Sequence, residues 1–206
     1  MKIAAALICV AGLATAAVAT PTPPKTYQGT GGTLLDGATG SPATTTFTIF
    51  VPPDPDGHDV IYAMVDVTLN ISHTYVGDLL ITLTGPGGQV ATLFDRPGYP
   101  QSTFGNSDNL DGIYVFEDFQ PQLPESAGAP GGVITPGTYG TSGPGFLFDF
   151  DGTVKTGVWT LSITDHAGGD TGTLHGWSIT MTNLVPSPSA MGLLGLGGLV
   201  AARRRR

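Results

Sequence analysis

The chain has 206 residues, with eight Lys and Arg against sixteen Asp and Glu, and a single cysteine. Lys2 and Arg203 to Arg206 sit at the extremes, so the stretch between them sets sixteen acids against Lys25, Arg96 and Lys155, a net charge of −13. That balance excludes nucleic acid as a partner, since phosphate binding needs clustered cations; it fits either a solvated acidic exterior or bound cations that relieve self-repulsion.

Met1-Lys2, the apolar run Ile3 to Val18 and the small-residue pattern Ala17-Val18-Ala19 read as a secretory signal peptide over residues 1–19, cleaved after Ala19. Cys9 leaves with it and lacks the Leu-x-Gly-Cys setting of a lipid-attachment cysteine. The exported chain therefore has no disulfide, and it needs a good core, a metal or both. Residues 20–43 form a Pro/Thr/Gly-rich leader: Thr20 to Lys25 reads as an extended spacer, and Thr26 to Ala43 as loop with at most one weak strand.

A sandwich domain is expected over residues 44–184. Thr46 to Val51 alternates as a strand, which Pro52-Pro53-Asp54-Pro55 ends because proline cannot donate to a ladder. Val65, Val67, Leu69 and Ile71 then face one way and Asp66, Thr68, Asn70 and Ser72 the other, the pattern of a half-buried antiparallel strand. Leu79, Ile81 and Leu83 repeat it, and Gly85-Pro86-Gly87-Gly88 turns that strand back into Gln89 to Phe94. Asp95 to Pro144 reads as a long loop with one strand at Ile113 to Phe116, a length usually functional, mobile or metal-ordered. Phe146-Leu147-Phe148 is expected to return to the core, and two closing strands place Trp159, Leu161, Ile163, Trp177, Ile179 and Met181 inward. About eight short alternating strands with no helical pattern predict an all-β fold, an antiparallel β-sandwich of jelly-roll type.

Two stretches share one plan of strand, acidic loop and strand: Asn70 to Leu83 around Asp78, and Trp159 to Met181 around Asp165 and Asp170. Calcium takes six to eight hard oxygen ligands, which loop carboxylates and freed carbonyls supply. Asp78, Asp165, Asp170 and Asp118 are the candidate calcium ligands, provided antiparallel closure brings them to one edge; the alternative is that each caps its own turn. Asp108, Asn109 and Asp111 with Asp118 form a weaker second set, and the spacing matches neither an EF-hand nor a nonapeptide calcium repeat. His58, His73, His166 and His175 show neither paired i, i+4 spacing nor cysteine company and read as turn or surface residues, not zinc ligands. Tyr75, Tyr99, Tyr114 and Tyr139 read either as exposed stacking surfaces for sugar rings or as loop packing. The sequon Asn70-Ile71-Ser72 falls inside a strand.

Residues 185–206 are a tail of three parts: Val185-Pro186-Ser187-Pro188, the apolar run Ala190 to Ala202, and four arginines. As a helix the thirteen apolar residues reach about 20 Å, short of the roughly 30 Å hydrocarbon core, so a transient anchor fits better than a permanent span. The order resembles the PEP-CTERM sorting signal of exported bacterial proteins, with Ser187 where that signal usually has glutamate. The resemblance implies transient membrane contact, an exosortase-type processing enzyme as partner, and a place in the cell envelope, at the cell surface or in the extracellular matrix.

His73-Thr74-Tyr75-Val76-Gly77-Asp78-Leu79, the turn Leu83 to Gly88, Gly157-Val158-Trp159-Thr160-Leu161 and Asp165 through Trp177 together resemble the P domain (P/Homo B) of proprotein convertases, from about Pro52 to Asn183. The resemblance implies a β-sandwich that follows a subtilisin-like serine protease domain and supports its folding, stability and calcium dependence. The chain itself carries no Gly-Thr-Ser-Met-Ala-type serine segment and no Gly-x-Ser-x-Gly; Gly140-Thr141-Ser142-Gly143-Pro144 reads as turn chemistry. It is therefore expected not to be an enzyme. The expectation is an exported, non-catalytic, calcium-stabilised binding module; the alternatives are an accessory subunit for a separate subtilisin-like protease, and a module that binds a surface polysaccharide.

Overall fold

A computed structural model describes residues 20–21, 23–55, 57, 59–61, 64–126, 131–182 and 184–185. The expected signal peptide, most of the sorting tail and His58 lie outside the described residues. The chain divides into two compact units. In the first, β1 (Thr20–Pro21) pairs antiparallel with β11 (Leu184–Val185). The second, residues 22–183, holds the other described strands: β2 (Lys25–Thr33), β3 (Ala43–Val51), β4 (Met64–His73), β5 (Leu79–Thr84), β6 (Val90–Asp95), β7 (Leu110–Phe116), β8 (Gly137–Tyr139), β9 (Gly157–Asp165) and β10 (Gly172–Thr182).

These nine strands make a two-sheet sandwich of jelly-roll type, β2-β10-β4-β7-β8 facing β3-β9-β5-β6. Pairing is antiparallel throughout except for β7 with β8. The core is built from the alternation in the sequence: Val67, Leu69 and Ile71 of β4, Leu79, Ile81 and Leu83 of β5 and Trp159 and Leu161 of β9 are all fully buried. In β10 the extra residue between Leu174 and Gly176 is His175; this bulge lets Leu174 and Trp177, which differ in parity, share the inner face. A continuous apolar core of this kind replaces the cross-links that a disulfide-free domain lacks.

Three expectations need correction. The stretch read as leader contains β2, nine residues that pair with β10 over nearly their whole length, so the sandwich includes Lys25–Thr33. Glycines hide this strand in the sequence because the backbone itself packs: a Cβ on Gly31 would enter the Leu174 carbonyl, and one on Gly29 the Trp177 ring. The long loop carries more structure than one strand, since β7 starts at Leu110, β8 follows, and Leu123 and Ile134 bury in the core. Of Phe146-Leu147-Phe148 only Leu147 reaches the core; the three residues lead into a 3-10 turn, Leu147–Phe150, that leaves both phenylalanine rings in solvent.

Candidate functional site

The two acid-bearing units meet at one end of the sandwich. β4 ends at His73, a 3-10 turn over Val76–Asp78 follows, and β5 begins at Leu79, which lies opposite Asp165 at the end of β9. Thr74 Oγ1 donates to Asp170 Oδ1 at 2.8 Å and accepts from Thr171 N–H at 3.0 Å, while His166 N–H donates to the Asp78 carbonyl at 2.9 Å. Three of the four predicted ligands, Asp78, Asp165 and Asp170, are thus gathered by strand register and loop hydrogen bonds. Asp36, from the connection between β2 and β3, joins them by accepting Gly169 N–H.

Asp118 does not join. Across the β4–β7 pair His73 stands opposite Leu110 and Val67 opposite Phe116, so Asp118 lies at the other end of the strands, about 20 Å away at 3.3 Å per residue. Its carboxylate accepts from Thr141 Oγ1 at 2.7 Å, Leu147 N–H at 3.2 Å and Phe148 N–H at 2.6 Å, the work of a cap. Of the second set, Asp108 is buried beside the Val76 turn, where its carbonyl accepts Val76 N–H, and Asp111 is exposed on β7.

At the acidic end Asp78 is only 2% exposed, and its Oδ1 is fully buried with no hydrogen-bond partner among the described residues. Burial, then the charges of Asp165 and Asp170, push its carboxyl up to about 6, with Arg96 opposing weakly. Asp165 has both oxygens engaged: Oδ1 accepts Ala167 N–H at 3.0 Å and Oδ2 faces His73 Nε2 at 3.2 Å. His73 Nδ1 lies 3.1 Å from the Tyr75 amide nitrogen and 3.0 Å from the Tyr75 carbonyl oxygen, which fixes the ring with Nε2 toward Asp165. Reading His73 as a surface residue is therefore corrected: it is buried, and it orients Asp165. His175 is exposed and meets Ser72 Oγ at 3.2 Å, and His166 is partly buried with its pKa lowered first by burial and then by Arg96.

The turn is held from outside by backbone. Val76 and Gly77 N–H donate to the Asp108 and Asn106 carbonyls, Arg96 Nε donates to the Gly77 carbonyl at 3.1 Å, and a Cβ on Gly77 would stand 2.5 Å from the Phe104 carbonyl oxygen. Among the described residues no three His, Cys, Asp or Glu side chains are grouped closely enough to hold a metal ion as they stand. The donor type nonetheless suits a hard cation: hard carboxylate oxygens, with Asp78 repelled by the charges of Asp165 and Asp170 and keeping one orphaned buried oxygen.

Tyr114 is buried in the core, its hydroxyl donating to the Ile134 carbonyl at 2.7 Å, and Tyr139 donates to Thr135; Tyr99 stays exposed with Arg96 over its ring. Ser142 turns its hydroxyl toward the adjacent Gly143 carbonyl. Asp36 and His73 are the site residues that sequence reasoning missed; the only signal for Asp36 was an acid beside Leu34-Leu35 in a glycine-rich stretch.

The profile of the proprotein convertase P-domain family matches residues 62–122 and 138–181, which include both acid-bearing units and omit part of the long loop. Leupeptin-inactivating enzyme 1 of Streptomyces exfoliatus is 29% identical over 118 residues, 57% of this chain and 18% of that protein. A calcium-dependent protease of Nostoc sp. is 30% identical over 120 residues, 57% of this chain and 13% of that protein. The chain thus spans less than a fifth of the length of these relatives. A solved serine protease of Aeromonas sobria superposes with a TM-score of 0.41 at 18% identity, covering 81% of this chain and 27% of that one.

Proposed function

Because the chain belongs to the proprotein convertase P-domain family, we propose that it is an exported, non-catalytic P-domain module, stabilised by calcium and working by binding a partner. The observation that carries the calcium reading is the buried, unpartnered Asp78 Oδ1 of a carboxylate within reach of the charges of Asp165 and Asp170. Asp78, Asp165 and Asp170, with Asp36 beside them, would hold the ion. Bound calcium would cancel the carboxylate repulsion and tie the Asp78 turn to the loop after β9. Two relatives named calcium-dependent protease support this reading. Export rests on the apolar N-terminal run, and surface processing by an exosortase-type enzyme on the Val-Pro-x-Pro tail. No helix among the described residues is long and apolar enough to cross a membrane.

The test is the thermal midpoint of the purified chain in excess EDTA and across a calcium titration, with Asp78→Asn alongside. Calcium at a hundred times its dissociation constant adds about 2.7 kcal/mol, roughly 5–10 °C for a domain of this size. Asp78→Asn should raise the midpoint in EDTA, because it removes a buried charge, and should abolish the calcium response. A calcium response that survives Asp78→Asn moves the ion elsewhere, and a flat titration of the wild type removes calcium from the function.

A second reading, an accessory subunit acting on a separate subtilisin-like protease, is favoured by the protease names of the relatives, of which this chain matches only the smaller part. Co-expression with such a protease lacking its own P domain should raise its yield of active enzyme; unchanged folding and activity would dismiss the idea.

A further inference from the structure

The end of the sandwich opposite Asp78 carries an aromatic surface that the calcium site does not use. Phe119 is 93% exposed, with its backbone in the left-handed region at φ 67°, a conformation rare for a bulky residue. Its ring stacks on Phe148 with centroids 6.2 Å apart and planes within 7°, and Phe148 stacks on Phe146 at 5.2 Å and 10°. Phe146, Phe148 and Met64 are also exposed, so three parallel rings and a thioether meet water together. Hydrogen bonds set the ladder: Asp118 accepts the Phe148 N–H, and Asp149 Oδ2 accepts the Phe146 N–H at 2.8 Å. Phe146 and Phe148 therefore stand preorganised on a capped turn, and Phe119 stacks against them.

A cavity of about 310 Å³ opens between Met64, Asp66, Glu117, Phe119, Gln120 and Phe148. Its acids lie close enough to repel one another: burial and then the charges of Glu117 and Asp118 push Asp66 up to about 6, while Glu117 accepts from Gln120 Nε2 at 3.4 Å and Asp118 is held by its capping bonds. The cations among the described residues are engaged elsewhere, Lys25 and Lys155 at Asp54, and Arg96 at the Gly77 carbonyl and the Tyr99 ring.

We propose that this face docks an arginine-bearing segment of a partner protein, with guanidinium groups laid on the Phe119, Phe148 and Phe146 rings and paired with Asp66 and Glu117. Ring faces are electron-rich and attract cations, and guanidinium is the planar, weakly hydrated cation that both stacks on aromatics and forks onto carboxylates. Charge complementarity selects the occupant. The sandwich of a second copy would bring an equally acidic surface and be repelled, its one arginine cluster, Arg203 to Arg206, standing in the sorting-type tail, and a neutral sugar would leave the carboxylate field unanswered. The inference rests on the binding-module reading and is independent of calcium.

The probe is the peptide acetyl-Arg-Gly-Arg-Gly-Arg-amide, titrated against the full chain and followed by backbone NMR shifts, with a citrulline-for-arginine peptide as the neutral isostere. Saturable shifts are expected at Gln120 and Phe148. Phe119→Asn keeps a residue that tolerates the left-handed backbone and leaves net charge unchanged; it should weaken binding by about fivefold or more. Glu117→Gln should weaken binding and flatten its salt dependence, and citrulline should abolish it. Equal affinity in wild type and Phe119→Asn would overturn the proposal, reducing binding to diffuse attraction by an acidic chain. Equal affinity for the citrulline peptide, no binding at all, or a concentration-dependent dimer that Phe119→Asn dissolves would also overturn it. The calcium response of Phe119→Asn should match the wild type, so failure here and failure of the calcium site are read separately.

Discussion

Asp54 and Asp78 are both buried carboxylates, and they are relieved in opposite ways. Asp54 Oδ2 meets Lys25 Nζ and Lys155 Nζ, each at 2.9 Å, and Lys155 is itself only 1% exposed. Asp78 faces two further carboxylates, with Arg96 as the only cation acting against the upward shift of its pKa. With three cations for sixteen acids between the chain's ends, two are spent on one carboxylate. The rest of the acid excess must be met by solvent, by protons or by ligands from outside. At Asp54 the chain supplies its own counter-charge; at Asp78 it withholds one, which is why calcium is proposed there and not at Asp54.

Breaking the first member of the comparison should have the largest effect. Asp54→Ala removes the carboxylate bonded to the buried Lys155 ammonium, leaving the charge of nearby Asp59, and should cost about 3 kcal/mol, read by chemical denaturation; Asp54→Asn should cost less because it keeps a hydrogen-bond acceptor. If Asp54→Ala is neutral, the lysines are solvated and the contrast dissolves. Next, Gly77→Ala drives a methyl into the Phe104 carbonyl and the Asn106 amide nitrogen, 2.5 and 2.6 Å from its Cβ. It should destabilise by about 1–3 kcal/mol. Calcium should restore little of that loss, since the turn at the acidic end is held by backbone packing.

Asp66 should give the smallest change and also its pH signature. Its folded pKa of about 6 lies above the ordinary carboxylate value near 3.8, so the folded state holds a proton more tightly than the unfolded chain. The penalty for the charged form is complete above about pH 6 and fades as pH falls toward 4. Asp66→Asn should therefore stabilise by about 1 kcal/mol at pH 7, solvent screening having reduced the full shift, and by almost nothing at pH 4. Equal gains at both pH values would show that the effect is packing and not charge.

Much of the fold was legible because alternation is a local property. Val65 to Ile71, Leu79 to Leu83, Trp159 to Ile163 and Trp177 to Met181 carry their inward face in their own spacing, and each buries as read. β2 was not legible, because its glycines pack by backbone against Trp177 and the β10 bulge, and nothing in their own pattern announces a partner. Phe146 and Phe148 misled for the converse reason: apolar residues two apart promise a buried face, but the caps from Asp118 and Asp149 fold them into a 3-10 turn that points the rings outward.

By itself the sequence determined the all-β class, the acid excess, the family likeness and two loops each built around aspartates, since composition, period and motif are carried by neighbours along the chain. Only the tertiary structure decided which aspartates act together. Register across β4, β5, β9 and β10 gathers Asp78, Asp165 and Asp170 and adds Asp36, while the β4–β7 pairing carries Asp118 to the far end. A carboxylate's role depends on what stands across from it in space, and a side-chain contact between the two sheets over 92 residues, His73 Nε2 to Asp165 Oδ2, is written in no local pattern.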